Sequence, residues 1–209
     1  MKNKKDRKKH PVKGDYGYYS YEKKRRAAIT AFLFGVCMLI FVTGLIMNGT
    51  RKNLLTLVAI LGVLPAAKWA VSLIMVILQK PIDPKVYETT EQIAGELTRG
   101  YELCVTAYEA RISLDAVVVC GNSIAAYSST AADKIEFMET HMRKIIHGNG
   151  LGNPALKIFT RFDQYTERIK QLASDPEMYR EGLRYTPDEQ HEGETRDEAV
   201  LRIIKNISI

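Results

Sequence analysis

The sequence predicts a membrane α-hairpin of two transmembrane helices followed by a small cytoplasmic α/β (α+β) domain with a mixed sheet of about four strands. Three observations carry that expectation. Two long apolar runs stand six residues apart, the basic charge gathers before the first of them, and helix-like and strand-like segments alternate after the second. The expected division is a basic, tyrosine-containing arm over 1–26 and a hairpin over 27–78, with spans 27–47 and 54–78. An α/β domain over 84–185, an acidic linker over 186–198 and a terminal amphipathic segment over 199–209 follow.

The arm holds eleven Lys or Arg through Arg26, against Asp6, Asp15 and Glu22, a net +8. From Val86 onward there are 14 Lys or Arg and 20 Asp or Glu, a net −6. The basicity therefore belongs to the arm. Neutralising phosphates needs a clustered basic surface, so this split argues against nucleic acid as the domain's partner. It suits attachment to a bilayer.

Ala27 to Met47 is 21 residues without a charge. At about 1.5 Å per residue such a helix crosses a hydrocarbon core of ~30 Å. It exceeds the ~15 residues of a signal-peptide core and no A-x-A site follows it. The break NGTRKN leaves room only for a turn, and Leu54 to Leu78 forms the second run. Lys and Arg before the first helix outnumber Arg51 and Lys52 in the turn, which places both termini in the cytoplasm, as in a bacterial inner (plasma) membrane protein. Tyr16, Tyr18, Tyr19 and Tyr21 are placed to settle among headgroups. Lys23, Lys24, Arg25 and Arg26 face anionic headgroups, and residues 1–13 read as a mobile tail that is either drawn to lipid or only sets topology.

Ala27, Ala31 and Gly35 on the first helix, and Gly62, Ala66 and Ala70 on the second, form small-residue stripes suited to close contact with another helix. Lys68, beside Trp69, falls on the far side from Ala66, and neither run contains an acid to pair with it. Either Lys68 snorkels to the interface, helped by a bend at Pro65, or it faces another subunit or membrane protein. No cofactor or metal is expected. Cys37, Cys104 and Cys120 lack metal spacing and read as buried apolar residues, and His141 and His147 are not spaced as ligands.

In the domain, Asp83 and Pro84 start a helix that runs to about Arg99 and ends at Gly100. YELCVTAYEARI alternates as a strand with one covered face. Asp115 to Cys120 reads as a central strand buried on both faces, and Gly121-Asn122 turns it into a third strand over Ser123 to Ser129. Ser129 or Thr130 with Asp133 caps a helix whose apolar face is Ile135, Met138, Met142 and Ile145, ending at Gly148. Leu156 to Phe159 is a fourth strand. A helix bearing Phe162, Tyr165, Ile169 and Leu172 follows, then a short one from Asp175-Pro176. TPDEQHEGETRDE should be solvated, and Thr195 with Glu198 caps a terminal helix that docks on the domain or on a partner. GNGLGNP follows a helix and precedes a strand, so it reads as a turn and not as a phosphate loop.

The order helix, three strands, helix, strand from Pro84 to Phe159 resembles the core of the PD-(D/E)XK (restriction-endonuclease-like) families. In those families an acid on the second strand and a (D/E)-x-K on the third bind Mg²⁺ and activate water. The resemblance implies Asp115, at the mouth of the second strand, as the first acid; the other reading of Asp115 is a local cap or pair. An enzyme would draw further carboxylates from the first helix, Glu91 or Glu96. The third strand, SIAAYSS, carries neither carboxylate nor lysine, so an oxygen-rich metal site is short of ligands and the resemblance implies a degenerate domain. The expected function is a membrane protein presenting a non-catalytic binding or scaffold domain. The alternatives are a membrane-tethered metal-dependent hydrolase or nuclease relic, and an accessory subunit of a transporter or secretion complex.

Overall fold

The computed structural model describes residues 10–50, 53–107, 110–130, 133–187 and 191–208. The chain divides into two units: a helical hairpin over residues 19–80, and an α/β unit formed by the residues before 19 and after 80.

The hairpin is α1 (Tyr18–Asn48) and α2 (Leu54–Ile77), each long and apolar enough to cross a membrane. Asn53 closes the turn. Its side-chain oxygen accepts from Thr56 N at 2.8 Å, capping α2, and its amide donates to Gly44 O at 2.9 Å. A Cβ on Gly44 would lie 2.7 Å from Leu55 Cβ, so only glycine lets the helices approach there. Farther along, Gly62 faces Cys37 Sγ and Arg26 Nη1 donates to Ser72 Oγ at 2.7 Å. Lys23 Nζ reaches Gln79 O at 2.6 Å. Ala59, Ala66 and Val76 are the buried residues of α2, with Gly62 and Ala70 half-buried. The stripe Ala27, Ala31, Gly35 does not face α2 within the chain. Those three are exposed, and the inward face carries Glu22, Cys37 and Gly44. Three small residues four apart allow close packing but do not select the face, and the polar ties of Arg26 and Asn53 select another.

In the α/β unit, α3 (Pro84–Ala94) precedes β1 (Thr98–Ala107), β2 (Ala110–Cys120) and β3 (Ser123–Tyr127). Then come α4 (Ile135–Gly148), β4 (Ala155–Phe159), α5 (Phe162–Ser174), α6 (Pro176–Arg180) and α7 (Arg196–Asn206). The sheet order is β1-β2-β3-β4, antiparallel except for the parallel β3–β4 pair. One apolar layer joins the sheet to α4 and α7 through Met138, Met142, Val200 and Ile204. The other joins it to α3 and α5 through Val86, Tyr165, Ile169 and Leu172.

Several boundaries differ from expectation for physical reasons. α3 stops at Ala94 because Gly95, at φ 53°, breaks it, so Arg99 and Gly100 belong to β1. β1 is buried on both faces from Gly100 to Val105, since α7 lies along one of them. β3 ends at Tyr127, and Ser128 N donates to Phe159 O at 3.0 Å. α4 starts at Ile135 behind Lys134 with no side-chain cap, so the Ser129/Thr130–Asp133 box does not form. The Thr195–Glu198 capping box does form. Of the acids read as a solvated linker, Glu192 and Glu198 are exposed, but Asp197 is buried and Glu194 forks onto Arg202 at 2.8 and 2.9 Å, while residues 188–190 lie outside the described residues. α7 docks on the domain, with Val200 and Ile204 fully buried.

Of residues 1–13, read as a mobile tail, only 10–13 are described, and Val12 and Lys13 there are held by contacts. Residues 1–9 and Tyr108 lie outside the described residues. From Val12 the chain turns on Asp15, and Gly14 O accepts from Tyr101 N at 2.8 Å. Lys13 donates to Ser208 O, and the Tyr16 ring stacks on Tyr87 at 4.1 Å instead of lying free for headgroups.

Candidate functional site

Asp115 is the sixth residue of the eleven in β2, not at its mouth. The register pairs Tyr101 with Ala116 and Leu103 with Leu114, leaving Glu102 and Asp115 between those pairs. Tyr101 and Ala116 face the α3/α5 layer, whereas Leu103 and Leu114 face the α4/α7 layer. Regular pleating puts residues two apart on one face, so both strands switch faces here. Glu102 absorbs the switch with a left-handed φ of 52°.

The Asp115 carboxylate accepts the Ser129 N–H at 2.6 Å from the chain leaving β3. Burial pushes this carboxyl above the ordinary range, the Ser129 bond pulls it back, and the charge of Asp83 pushes it up again. Asp83 caps α3, accepting from Lys85 N at 2.9 Å. Burial, then Asp115 and Asp83, push the Tyr127 phenol up as well. Its ring packs 5.3 Å from Phe162 and 5.5 Å from Tyr165. Asp83 is thus within electrostatic reach of Asp115 and Tyr127, and Asp115 is tied to Ser129. A hard divalent cation wants six or more oxygens. Among the described residues no group of three or more His, Cys, Asp or Glu is placed to hold a metal.

The acid brought to Asp115 is Asp83, 32 positions away, instead of Glu91 or Glu96. Glu91 is held by Arg99 at 2.6 Å through both oxygens and accepts from Tyr101 OH at 2.7 Å. The Arg99 guanidinium holds the Glu91 carboxyl below its usual range against the opposing effect of burial. These groups line an open cavity of about 560 Å³ with Tyr16 and Tyr87. Glu96 lies on another, of about 410 Å³, with Thr98, Arg180 and Asp197.

That second cavity adjoins a clasp for which the sequence carries no local signal. Asp197, 4 % exposed, accepts from Gly121 N at 2.9 Å and from Arg180 Nε at 3.2 Å. Arg196 donates to Gly121 O and Leu151 O. Asn122 N donates to Tyr179 O at 3.0 Å. The clasp joins the start of α7 to the β2–β3 turn across more than 70 residues.

Of the remaining candidates, Cys37, Cys104 and Cys120 are buried free thiols. Burial pushes Cys120 up to about 11, and Cys104 Sγ accepts from Arg111 Nε at 3.0 Å. His141 stacks on Phe137, and His147 stands in the last turn of α4. In the hairpin, Lys68 is exposed, Trp69 is half-buried, Lys24 and Arg25 are exposed, and Lys23 and Arg26 are half-buried. No family model, curated protein or solved structure matches the chain.

Proposed function

We propose that this chain is a two-span protein of the inner (plasma) membrane, both termini cytoplasmic, whose α/β unit is a non-catalytic binding or scaffold module. The observation that carries the membrane part is the outer face of the hairpin. Phe32, Leu39, Ile46 and Leu64 are 71, 68, 77 and 69 % exposed, and only 11 % of the most apolar stretch of each helix is buried. A helix in a water-soluble core hides its apolar face. Leaving this one in water costs roughly 25 cal/mol per Å², which acyl chains remove. The excess of Lys and Arg before Ala27 sets the orientation.

The binding reading draws support from Asp115, whose carboxylate holds the Ser129 backbone, and from β3, which offers neither a carboxylate nor a lysine. The order of elements from α3 to β4 supports the accompanying fold reading, a degenerate PD-(D/E)XK core. Reporter fusions after Thr50 and after Ile209 test the topology. Phosphatase activity at Thr50 and green fluorescence at Ile209 are expected; phosphatase activity at Ile209 overturns the orientation.

The proximity of Asp83 to Asp115 favours one second reading, a metal-dependent hydrolase. Mn²⁺ titration of the full chain decides it. Binding that is lost in D115N, Asp115→Asn, would replace the scaffold reading.

A further inference from the structure

The register of the hairpin fixes the depth of Lys68. Arg26 stands beside Ser72, Cys37 beside Gly62 and Gly44 beside Leu55, so Lys68 is level with Thr30 and Ala31. That is four residues, about 6 Å, inside Ser72. Arg26 is the last charge before the apolar run of α1 and marks the headgroup level on that side. The Cα–Cβ bond of Lys68 tilts toward the N-terminus of α2, the bilayer side, so the four-carbon stem turns back along the helix to carry the ammonium toward the level of Arg26.

Lys68, like the exposed Lys24, is a cation near that level with no acid beside it in the sequence. Arg26 is bound to Glu22 and Ser72, and Lys23 to Gln79 O. Lys68 is exposed two residues from the fully buried Ala66, and residues 27–78 contain no Asp or Glu to pair with it. An ammonium on the lipid-facing side at headgroup depth meets phosphate. We propose that Lys68 binds the phosphate of an anionic phospholipid in the leaflet where α2 leaves the membrane, with Trp69 beside it in the interface. This site rests on the membrane-spanning reading above.

Trp69 is the single tryptophan of the chain, so its fluorescence reports on this place alone. The full chain is reconstituted in vesicles of phosphatidylcholine with phosphatidylglycerol, bromines being carried on one lipid or the other and at shallow or deep acyl positions. Shallow bromines should quench Trp69 more than deep ones. Brominated phosphatidylglycerol should act at about fivefold lower mole fraction than brominated phosphatidylcholine, the preference expected from about 1 kcal/mol per basic residue at the surface. K68R should keep that preference and K68L should lose it. Equal quenching by both lipids, deeper quenching, or a K68L variant with the wild-type preference overturns the lipid site. A Trp69 that neither lipid quenches, in protein that floats with the vesicles, places a second copy or another protein on Lys68 and also overturns it. Protein that does not float with the vesicles overturns the membrane reading itself, a result distinct from the others.

Discussion

Glu102 and Asp115 occupy the one step where β1 and β2 exchange the faces they present to the two apolar layers. Both side chains are buried, at 3 and 6 % exposure, and Glu102 holds its backbone at φ 52°. Two acidic residues thus stand at a switch that lets Tyr101 pack under α3 and α5 while Leu103, two residues on, packs under α4 and α7.

The left-handed conformation of Glu102 costs an L-residue about 1–2 kcal/mol relative to glycine. E102G and E102A both remove the carboxylate, but only E102G removes the backbone penalty. The expected order of thermal stability in detergent is wild type, E102G, then E102A, with about 1 kcal/mol between the variants. An E102A protein that melts at or above E102G would show that φ at this position is not strained.

Asp115 should make stability depend on pH in the unusual direction. Its folded carboxyl lies above the ordinary value of about 3.9, so the folded state binds its proton more tightly than the unfolded chain does. That contribution is fully present below the unfolded value and is lost as pH rises through the folded one. D115N keeps an oxygen to accept from Ser129 N and cannot ionise. Relative to wild type, D115N should therefore gain stability as pH rises above 4, read as the difference between the two melting temperatures at each pH. A difference that stays flat from pH 4 to 8 would assign Asp115 an unperturbed carboxyl.

Gly121 tests the clasp. Its φ is 51°, and a Cβ there would lie 1.8 Å from Tyr179 O, the acceptor for Asn122 N. A carbonyl of the backbone cannot swing aside as a side chain can. G121A should cost several kcal/mol and loosen α6 and α7 together, visible as faster amide exchange at Asn122 and Val200. G148A is the control, since nothing lies within 4 Å of a Cβ placed at Gly148. Equal melting temperatures for G121A and G148A would remove the clasp from any role in stability.

The parts of this fold that were legible in the sequence are those written in local periods. Met138 and Met142, or Tyr165, Ile169 and Leu172, repeat at helical spacing and bury as that spacing requires. Gly121-Asn122 and Thr195–Glu198 are turn and cap chemistry confined to four residues or fewer. The start of β1 was hidden because Leu97 continues the apolar spacing of α3, and nothing local distinguishes Gly95 from Gly100 as the breaker. The face switch at Glu102 breaks the period of two on which strand reading depends. The grouping of Asp83 with Asp115, and of Asp197 with Arg180 and Gly121, joins residues far apart in the chain, where pattern carries no information. The contacts of Lys13 and Tyr16 were not legible in the basic composition of the arm, because they depend on partners that only the fold supplies.

The hairpin seam gives the last prediction, because two faces of α1 compete for it. A Cβ at Gly62 would stand 3.0 Å from Cys37 Sγ, the separation that disulfide geometry needs between one Cβ and the opposite sulfur. G62C should therefore crosslink to Cys37 within the chain under mild oxidation, a shift visible on a non-reducing gel. Cys104 and Cys120 are replaced by Ser so that no other pair competes, with the same background lacking G62C as reference. If the stripe Ala27, Ala31, Gly35 faced α2 instead, G35C in the same background with Cys37 also replaced would crosslink to G62C while Cys37 would not. Packing volume gives an independent check. Ala66 is fully buried and Gly35 exposed, so A66L should overpack the seam by about 1–3 kcal/mol, while G35L should be tolerated and slow none of the crosslinking. Crosslinking from position 35 with none from Cys37 would turn α1 by roughly half a turn and take the Arg26–Ser72 tie with it.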